Sequence, residues 1–211
     1  MNIGIILAGG IGSRMGIVDK PKQFIDIYGK PIIVHTLETF DNHPEIDYIG
    51  VVCLDEWMDD LIILLRRYEI NKVKWLIKGG STRQESVYNA IMTISEDANS
   101  DDVLIIHDSV RPLVSHKIIS NNISSAKKFG ATDTVIPSAD TIIKSLDGLQ
   151  IHEVPDRSEL YIGQTPQSFK FELIKKAHEV AIERNKLNAT DDCQLVLDLG
   201  EEVKLVMGDK L

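Results

Sequence analysis

The sequence predicts an α/β fold built on a largely parallel sheet covered by helices. Short β-branched runs alternate with longer segments of helical period. Several of the runs are continuously apolar, as strands buried on both faces are. Capping residues stand where the helical segments begin.

Taken in order, Ile3 to Leu7 is an apolar run suited to a central strand, and Tyr48 to Leu54, Val73 to Ile77, Val103 to His107 and Thr134 to Pro137 repeat it. Pro31 suits the first turn of a helix through Phe40, and Asp55 is expected to cap a segment to about Tyr68. Thr82, with Glu85 three residues on, gives a capping-box signature for a helix to about Ser95. Ser115 caps a further one to Phe129, stopped by Gly130. After Pro137 the alternation breaks. Asp140 to Lys144 and Leu149 to Val154 are β-prone runs flanking Asp147 and Gly148, a hairpin pattern. An isolated two-stranded ribbon is marginal in water, so this one is expected to lean on something, a second subunit being the candidate. Helices from about Lys170 to Asn185 and Asp191 to Leu199 follow, then a strand from Val203 to Met207. The expected sheet has six or seven strands.

The 211 residues are the size of one domain, with 138–156 as an arm on it. A composition of 43% hydrophobic and 26% charged residues is that of a soluble globular protein. The net charge of -9 argues against nucleic acid as a partner, because polyanion binders present a basic face. An anionic small molecule would instead need a local cationic cluster. Cys53 and Cys193 form neither a zinc nor a redox motif, which fits a reducing compartment. Neither a charged leader nor an apolar run of about 18 residues is present, so the expected location is cytoplasmic, away from membranes.

The first strand runs into Leu7, Ala8, Gly9, Gly10, Ile11, Gly12, Ser13, Arg14, Met15 and Gly16, with four glycines in eight residues. Such a bend lets backbone N–H groups approach a phosphate closely, and it sits at the strand ends where open α/β sheets bind ligands. It is not a dinucleotide fingerprint, whose third glycine would fall on Met15, nor a Walker loop, since the one Gly-Lys pair, Gly29 and Lys30, precedes Pro31. Arg14, Lys20 and Lys22 follow at once. A guanidinium and an ammonium at Arg14 and Lys22 could neutralise a triphosphate, whereas Lys20 is undecided between ligand and solvated cation.

Val103 to Ile106 leads into His107, Asp108, Ser109, Val110, Arg111 and Pro112. A carboxylate at the end of a buried strand suits Mg²⁺, which takes one or two carboxylates plus substrate phosphates, so Asp108 is the candidate metal ligand; its alternative role is a turn cap. His107 reads as a hydrogen-bonded structural residue, and Arg111 as a phosphate ligand or a neighbour of Asp108. In Gly79, Gly80, Ser81, Thr82, Arg83, Gln84, Glu85 and Ser86, the Gly80 backbone and Ser86 could read a base edge; equally, Ser81 or Thr82 could merely cap a helix.

Together these segments resemble the cytidylyltransferases that activate small sugar or polyol phosphates. The likeness rests on Leu-Ala-Gly-Gly-x-Gly-x-Arg-Met-Gly, Pro-Lys-Gln-Phe, Gly-Gly-x-x-Arg-x-x-Ser-Val, His-Asp-x-x-Arg-Pro, Asp-Thr-Ile, and Gly-Gln-Thr-Pro-Gln-x-Phe at Gly163 to Phe169. It covers nearly the whole chain, and the order and spacing of the segments are more specific than any one alone. The resemblance implies a three-layer Rossmann-like fold with a protruding β-hairpin dimerisation arm, CTP and a polyol phosphate as substrates, Mg²⁺ as cofactor, and a homodimer whose arms complete each other's sites. It assigns catalysis to Arg14, Lys22, Asp108 and Arg157. Leu7, Ala8, Gly9, Gly10, Gly12, Gly80, Ser81 and Ser86 fall to the nucleotide, and Ser109, Arg111, Asp140, Thr141, Arg157 and Thr165 to the acceptor. Ser109 and Val110, where the methylerythritol branch has two alanines, and the surroundings Pro155 to Arg157 and Tyr161 to Gln164 look more like the ribitol 5-phosphate branch. The family continues with an Asn-x-Lys segment whose lysine reaches the active site, while this sequence stops at Leu211. Two other classes can be set against this reading. A silent nucleotide-binding module would bind CTP without turnover; a nicotinamide dehydrogenase would need an acid where Cys53 ends the second strand.

Overall fold

Asn2–Ala8 forms the first strand, β1, in the computed structural model, which describes residues 1–10 and 20–210. There follow β2 (Asp26–Ile27), β3 (Lys30–Pro31), α1 (Ile32–Asp41), β4 (Tyr48–Cys53), α2 (Met58–Arg67), β5 (Val73–Lys78), α3 (Arg83–Ile94), β6 (Val103–Asp108), α4 (His116–Phe129), β7 (Ala131–Pro137), β8 (Tyr161–Lys170), α5 (Phe171–Glu183), α6 (Asp192–Leu197) and β9 (Lys204–Met207). Seven strands form one sheet in the order β5-β4-β1-β6-β8-β7-β9, and β2 with β3 make a small separate hairpin. Every pairing in the large sheet is parallel except those of β8, which runs against both β6 and β7.

The alternation of side chains along a strand explains the three layers. Ile3 and Ile5 of β1 pack with Val87, Ile91, Ile174 and Val196 from α3, α5 and α6 on one face. Ile6 and Ala8 pack with Leu37, Leu61 and Ile123 from α1, α2 and α4 on the other. Burial on both faces is why the central strands are apolar throughout. No helix among the described residues is long and apolar enough to cross a membrane.

The caps position the loops. Ser115 accepts from the Ile118 N–H at 3.3 Å, and Gly130 closes α4 at φ 92°, a left-handed conformation that glycine adopts without steric cost. Thr82 accepts from the Glu85 N–H at 3.0 Å, but the Glu85 carboxylate reaches Ser81 rather than Thr82. Asp55 does not cap α2. It lies in a 3-10 turn, Asp55–Trp57, and its carboxylate instead takes Lys78 at 2.6 Å.

Two further expectations need correction. The arm is not a regular hairpin: Lys144 and Glu153 make an isolated bridge, while Ser145 and the Asp147 carboxylate bind the turn through Gly148, Leu149 and Gln150. Its two runs are exposed on both sides, so no buried face holds a longer ladder. The second correction is β8, a strand the periodicity does not predict. Gly163 and Pro166 argue against a central strand, yet the chain accommodates them where the β7–β8 register shifts between Asp133 and Val135.

Candidate active site

The carboxyl ends of β1, β4, β5 and β6 deliver four loops to one edge of the sheet, where they enclose a cavity of about 650 Å³. It is lined by Leu7, Ala8, Gly9, Gly10, Lys22, Gln23, Leu54, Gly80, Ser81, Thr82, Arg83, Ser86, Asp108, Ser109, Val110 and Thr190.

Lys22 owes its place to its neighbours. Lys22–Phe24 is a single 3-10 turn. Phe24 is buried and stacks on Trp57 at 4.7 Å, while buried Gln23 donates through Nε2 to the Ala8 carbonyl at 2.7 Å and the Gly10 carbonyl at 3.1 Å. Two inward anchors thus pin the turn to the glycine bend and leave the ammonium-bearing residue facing the cavity. Pro-Lys-Gln-Phe is one cation on a two-pronged clamp.

The loop after β5 is also internally tied. The Gly80 N–H donates to Ser86 Oγ at 3.0 Å, and that hydroxyl donates to the Thr82 carbonyl at 2.9 Å. Ser86 therefore retains one acceptor lone pair for a ligand amino group. The Ser81 N–H and hydroxyl both donate to Glu85 at 2.6 and 2.5 Å, which holds that carboxylate below its ordinary pKa.

At the end of β6, Asp108 lies 3.2 Å from Arg111 Nε. The Arg111 carbonyl can only accept, so His107 Nε2, 3.0 Å away, carries the imidazole proton. Nδ1 of the neutral ring accepts from the Thr165 hydroxyl at 3.0 Å, and that oxygen accepts from the Asp108 N–H at 3.2 Å. His107 is fully buried, and burial pushes its pKa down to about 4. It is a neutral strut that joins Thr165 to the Arg111 loop.

Beyond Asp108 a second cavity of about 300 Å³ is lined by His107, Val110, Arg111, Pro112, Leu113, Val114, Ile118, Gln164, Thr165 and Asp209. Val110 lines both cavities. The Asp108–Arg111 pair straddles the partition, its carboxylate on the larger side and its guanidinium on the smaller.

Of the residues singled out in the sequence, Leu7, Ala8, Gly9, Gly10, Lys22, Gly80, Ser81, Ser86, Asp108 and Ser109 meet in the larger cavity. Arg111 and Thr165 meet in the smaller one. Ser109 is fixed through its backbone, its N–H on the Leu7 carbonyl at 3.1 Å and its carbonyl accepting from Thr36 Oγ1 at 2.8 Å. Asp140, Thr141 and Arg157 line neither cavity. All three are exposed on the arm and its base, with Arg157 bonded to the Ala139 carbonyl at 3.4 Å. Arg14 and Gly12 lie outside the described residues.

Sequence reasoning assigns no site role to Gln23, Arg83 or Thr190, and Val110 and Gln164 enter it only through the likeness to the ribitol 5-phosphate branch. Arg83 is held at 2.6 Å by buried Asp192, whose other oxygen takes His178 Nε2 at 3.0 Å. The arginine in Gly-Gly-x-x-Arg was the available signal. No group of three or more His, Cys, Asp or Glu among the described residues could hold a metal. Among the described residues lining the larger cavity, Asp108 is the one carboxylate. A lone carboxylate fits Mg²⁺ that arrives with nucleotide phosphates, since such ions are seldom caged by protein alone.

Comparison with known proteins returns the same chemistry. A model of the 2-C-methyl-D-erythritol 4-phosphate cytidylyltransferase family matches residues 3–211. The ribitol-5-phosphate cytidylyltransferase of Vibrio parahaemolyticus serotype O3:K6 is 41% identical over 208 residues, spanning 99% of this chain and 87% of that protein. Among solved structures, 4-diphosphocytidyl-2C-methyl-D-erythritol synthase from Anaerococcus prevotii superposes with a TM-score of 0.83 at 28% identity, covering 99% of this chain and 87% of the other. Francisella tularensis 2-C-methyl-D-erythritol 4-phosphate cytidylyltransferase gives 0.83 at 28% identity, with 99% and 91% covered.

Proposed function

The chain belongs to the 2-C-methyl-D-erythritol 4-phosphate cytidylyltransferase family and is a nucleotidyltransferase using CTP; we propose that it transfers CMP to D-ribitol 5-phosphate, giving CDP-ribitol and pyrophosphate. The observation that carries this reading is the pair of adjoining cavities parted by Asp108 and Arg111. A nucleotide and an anionic acceptor can meet there at one phosphorus.

CTP lies in the larger cavity, its phosphates over the Leu7–Gly10 bend and against Lys22, its base toward Gly80, Ser81 and Ser86. The acceptor lies in the smaller cavity, its phosphate facing Arg111 and Thr165. An acceptor phosphate oxygen attacks the α-phosphorus, a new P–O bond forms, the α–β bridging P–O bond breaks, and pyrophosphate leaves. Protein groups need supply no covalent help, because such transfers are governed by positioning and charge neutralisation. Lys22 neutralises charge on the phosphates as the transition state forms. Asp108 would hold Mg²⁺, which when bound supplies Lewis-acid stabilisation of the phosphate oxygens. Arg14 is assigned beside Lys22 by its motif.

Arg157, Asp140 and Thr141 act across a homodimer in this reading. Leu146, Leu149 and Ile151 are 73%, 87% and 64% exposed on the arm, apolar surface that a second copy would cover.

Ribitol 5-phosphate is favoured as acceptor by the 41% identity to an enzyme of that name and by the residues around Ser109 and Gln164. An acceptor panel with CTP and Mg²⁺, read as pyrophosphate release, tests it. Ribitol 5-phosphate is expected to exceed 2-C-methyl-D-erythritol 4-phosphate by at least about 100-fold in kcat/KM, as sites that hydrogen-bond hydroxyls allow. Preference for the methylerythritol substrate overturns the acceptor, and CTP binding with no turnover on either overturns the enzyme.

A further inference from the structure

Gln164 stands between the register shift in β8 and the segment that leaves β9, and three observations fix its carboxamide. Nε2 donates to the Asp209 carbonyl at 2.9 Å. The Gly208 N–H donates to the Val135 carbonyl at 2.9 Å, which holds the segment beside β7. At Gly208 a Cβ would fall 2.1 Å from Gln164 Oε1 and 2.9 Å from Thr134 Cγ2, so only a residue without a side chain lets the amide lie across it. Gln164, Asp209, Thr165 and Arg111 all line the smaller cavity.

Resting on the proposed acceptor, we infer that Gln164 is a specificity-determining residue for the hydroxyl chain of the polyol phosphate. Arg111 supplies the charge a phosphate needs but cannot distinguish one carbon chain from another. The amide can, because one N–H and the carbonyl oxygen remain beyond the bond to Asp209, and a hydroxyl satisfies both kinds of group. A cavity of about 300 Å³ is at the small end of ligand sites, and so matches a short polyol phosphate. Preorganisation comes from Gly208 and Asp209. An amide already immobilised loses no further rotamer freedom when the acceptor arrives.

The test uses steady-state kinetics on the full chain with whichever polyol phosphate the unsubstituted enzyme prefers, so the identity of the acceptor is settled before the variants are read. Gln164→Ala is expected to raise KM for the acceptor about tenfold, as loss of one or two hydrogen bonds would, with KM for CTP and the melting temperature unchanged. Gly208→Ala should act in the same direction, because Thr134 is fully buried and the added Cβ therefore displaces the Gln164 amide from its fixed position. Adding Gly208→Ala to Gln164→Ala should then change the acceptor KM no further. An unchanged acceptor KM in Gln164→Ala, an equal rise in both KM values, or additive effects in the double variant each overturn the inference. If Gly208→Ala fails to fold, Gln164→Ala alone decides.

Discussion

Lys22 carries the sharpest expectation at the scale of single residues. Gln23 and Phe24 hold its turn, so truncating Lys22 should leave the fold intact while removing a positive charge from the reacting phosphates. Lys22→Ala should keep its melting temperature and lose about 100- to 1000-fold in turnover, the usual cost of one preorganised charge-stabilising donor. Near-normal pyrophosphate release from that variant would remove Lys22 from the chemistry. Asp133 gives a prediction about pH. Burial, reinforced by nearby Asp191, pushes its pKa up to about 6, against 3.8 for a free carboxyl. The folded state therefore holds this proton more tightly than the unfolded chain, and the associated stability is complete below about pH 4 and lost as pH rises through 6. Asp133→Asn should stabilise the protein by roughly 1–3 kcal/mol at pH 8 and by little at pH 4, read from urea unfolding at both values. An equal change at the two pH values would show that ionised Asp133 is not strained. His107 has the opposite sign: its pKa is depressed, so its contribution is present above pH 6.5 and fades as pH falls toward 4.

Among the elements, the loop from β5 into α3 depends on a close approach. A Cβ at Gly80 would lie 2.4 Å from Glu85 Cγ and 2.6 Å from Glu85 Cβ; the latter cannot retreat without moving the helix. Gly80→Ala should displace the Ser81–Glu85 clasp and the Gly80–Ser86 bond, raising KM for CTP about tenfold while the acceptor KM holds. Equal KM values for CTP in variant and parent would separate this loop from the nucleotide. The glycine pair and the Thr82 cap are legible in the sequence because local chemistry alone demands them. So are the central parallel strands β1, β4 and β6, whose burial on both faces writes itself as runs of Val, Ile and Leu. β8 is hidden for the complementary reason: its Gly163 and Pro166 are tolerated by a register shift that exists only once β6 and β7 flank it. Because Gln164 and Thr165 ride on that irregular stretch, the smaller cavity, the proposed acceptor side, is less readable than the larger one. Arg111 and Thr165 come forward through their motifs alone, whereas Leu7 to Gly10 follow from strand and glycines. The arm closes only the single antiparallel bridge of Lys144 with Glu153, because its apolar residues are largely exposed and no buried face extends the ladder.

At the scale of the whole molecule, a net charge of -9 surrounds a site that must bind two anions, so each cation has to come from a defined position. Lys22 and Arg111 face the cavities within one chain, but Arg157 does not, being exposed at the base of the arm. In the homodimer reading its place is in the partner's site, and this can be tested without a structure of the dimer. Lys22→Ala and Arg157→Ala are each expected to be nearly inactive as homodimers. When the two are mixed under conditions that exchange subunits, a mixed dimer contains one site with both defects and one with neither. The intact site combines Lys22 of one chain with Arg157 of the other. Random pairing makes half the dimers mixed, each with one working site of two, so activity should recover to about a quarter of the parent's. Recovery near that level places Arg157 across the interface, and a mixture no more active than its components confines Arg157 to its own chain or removes it from the reaction.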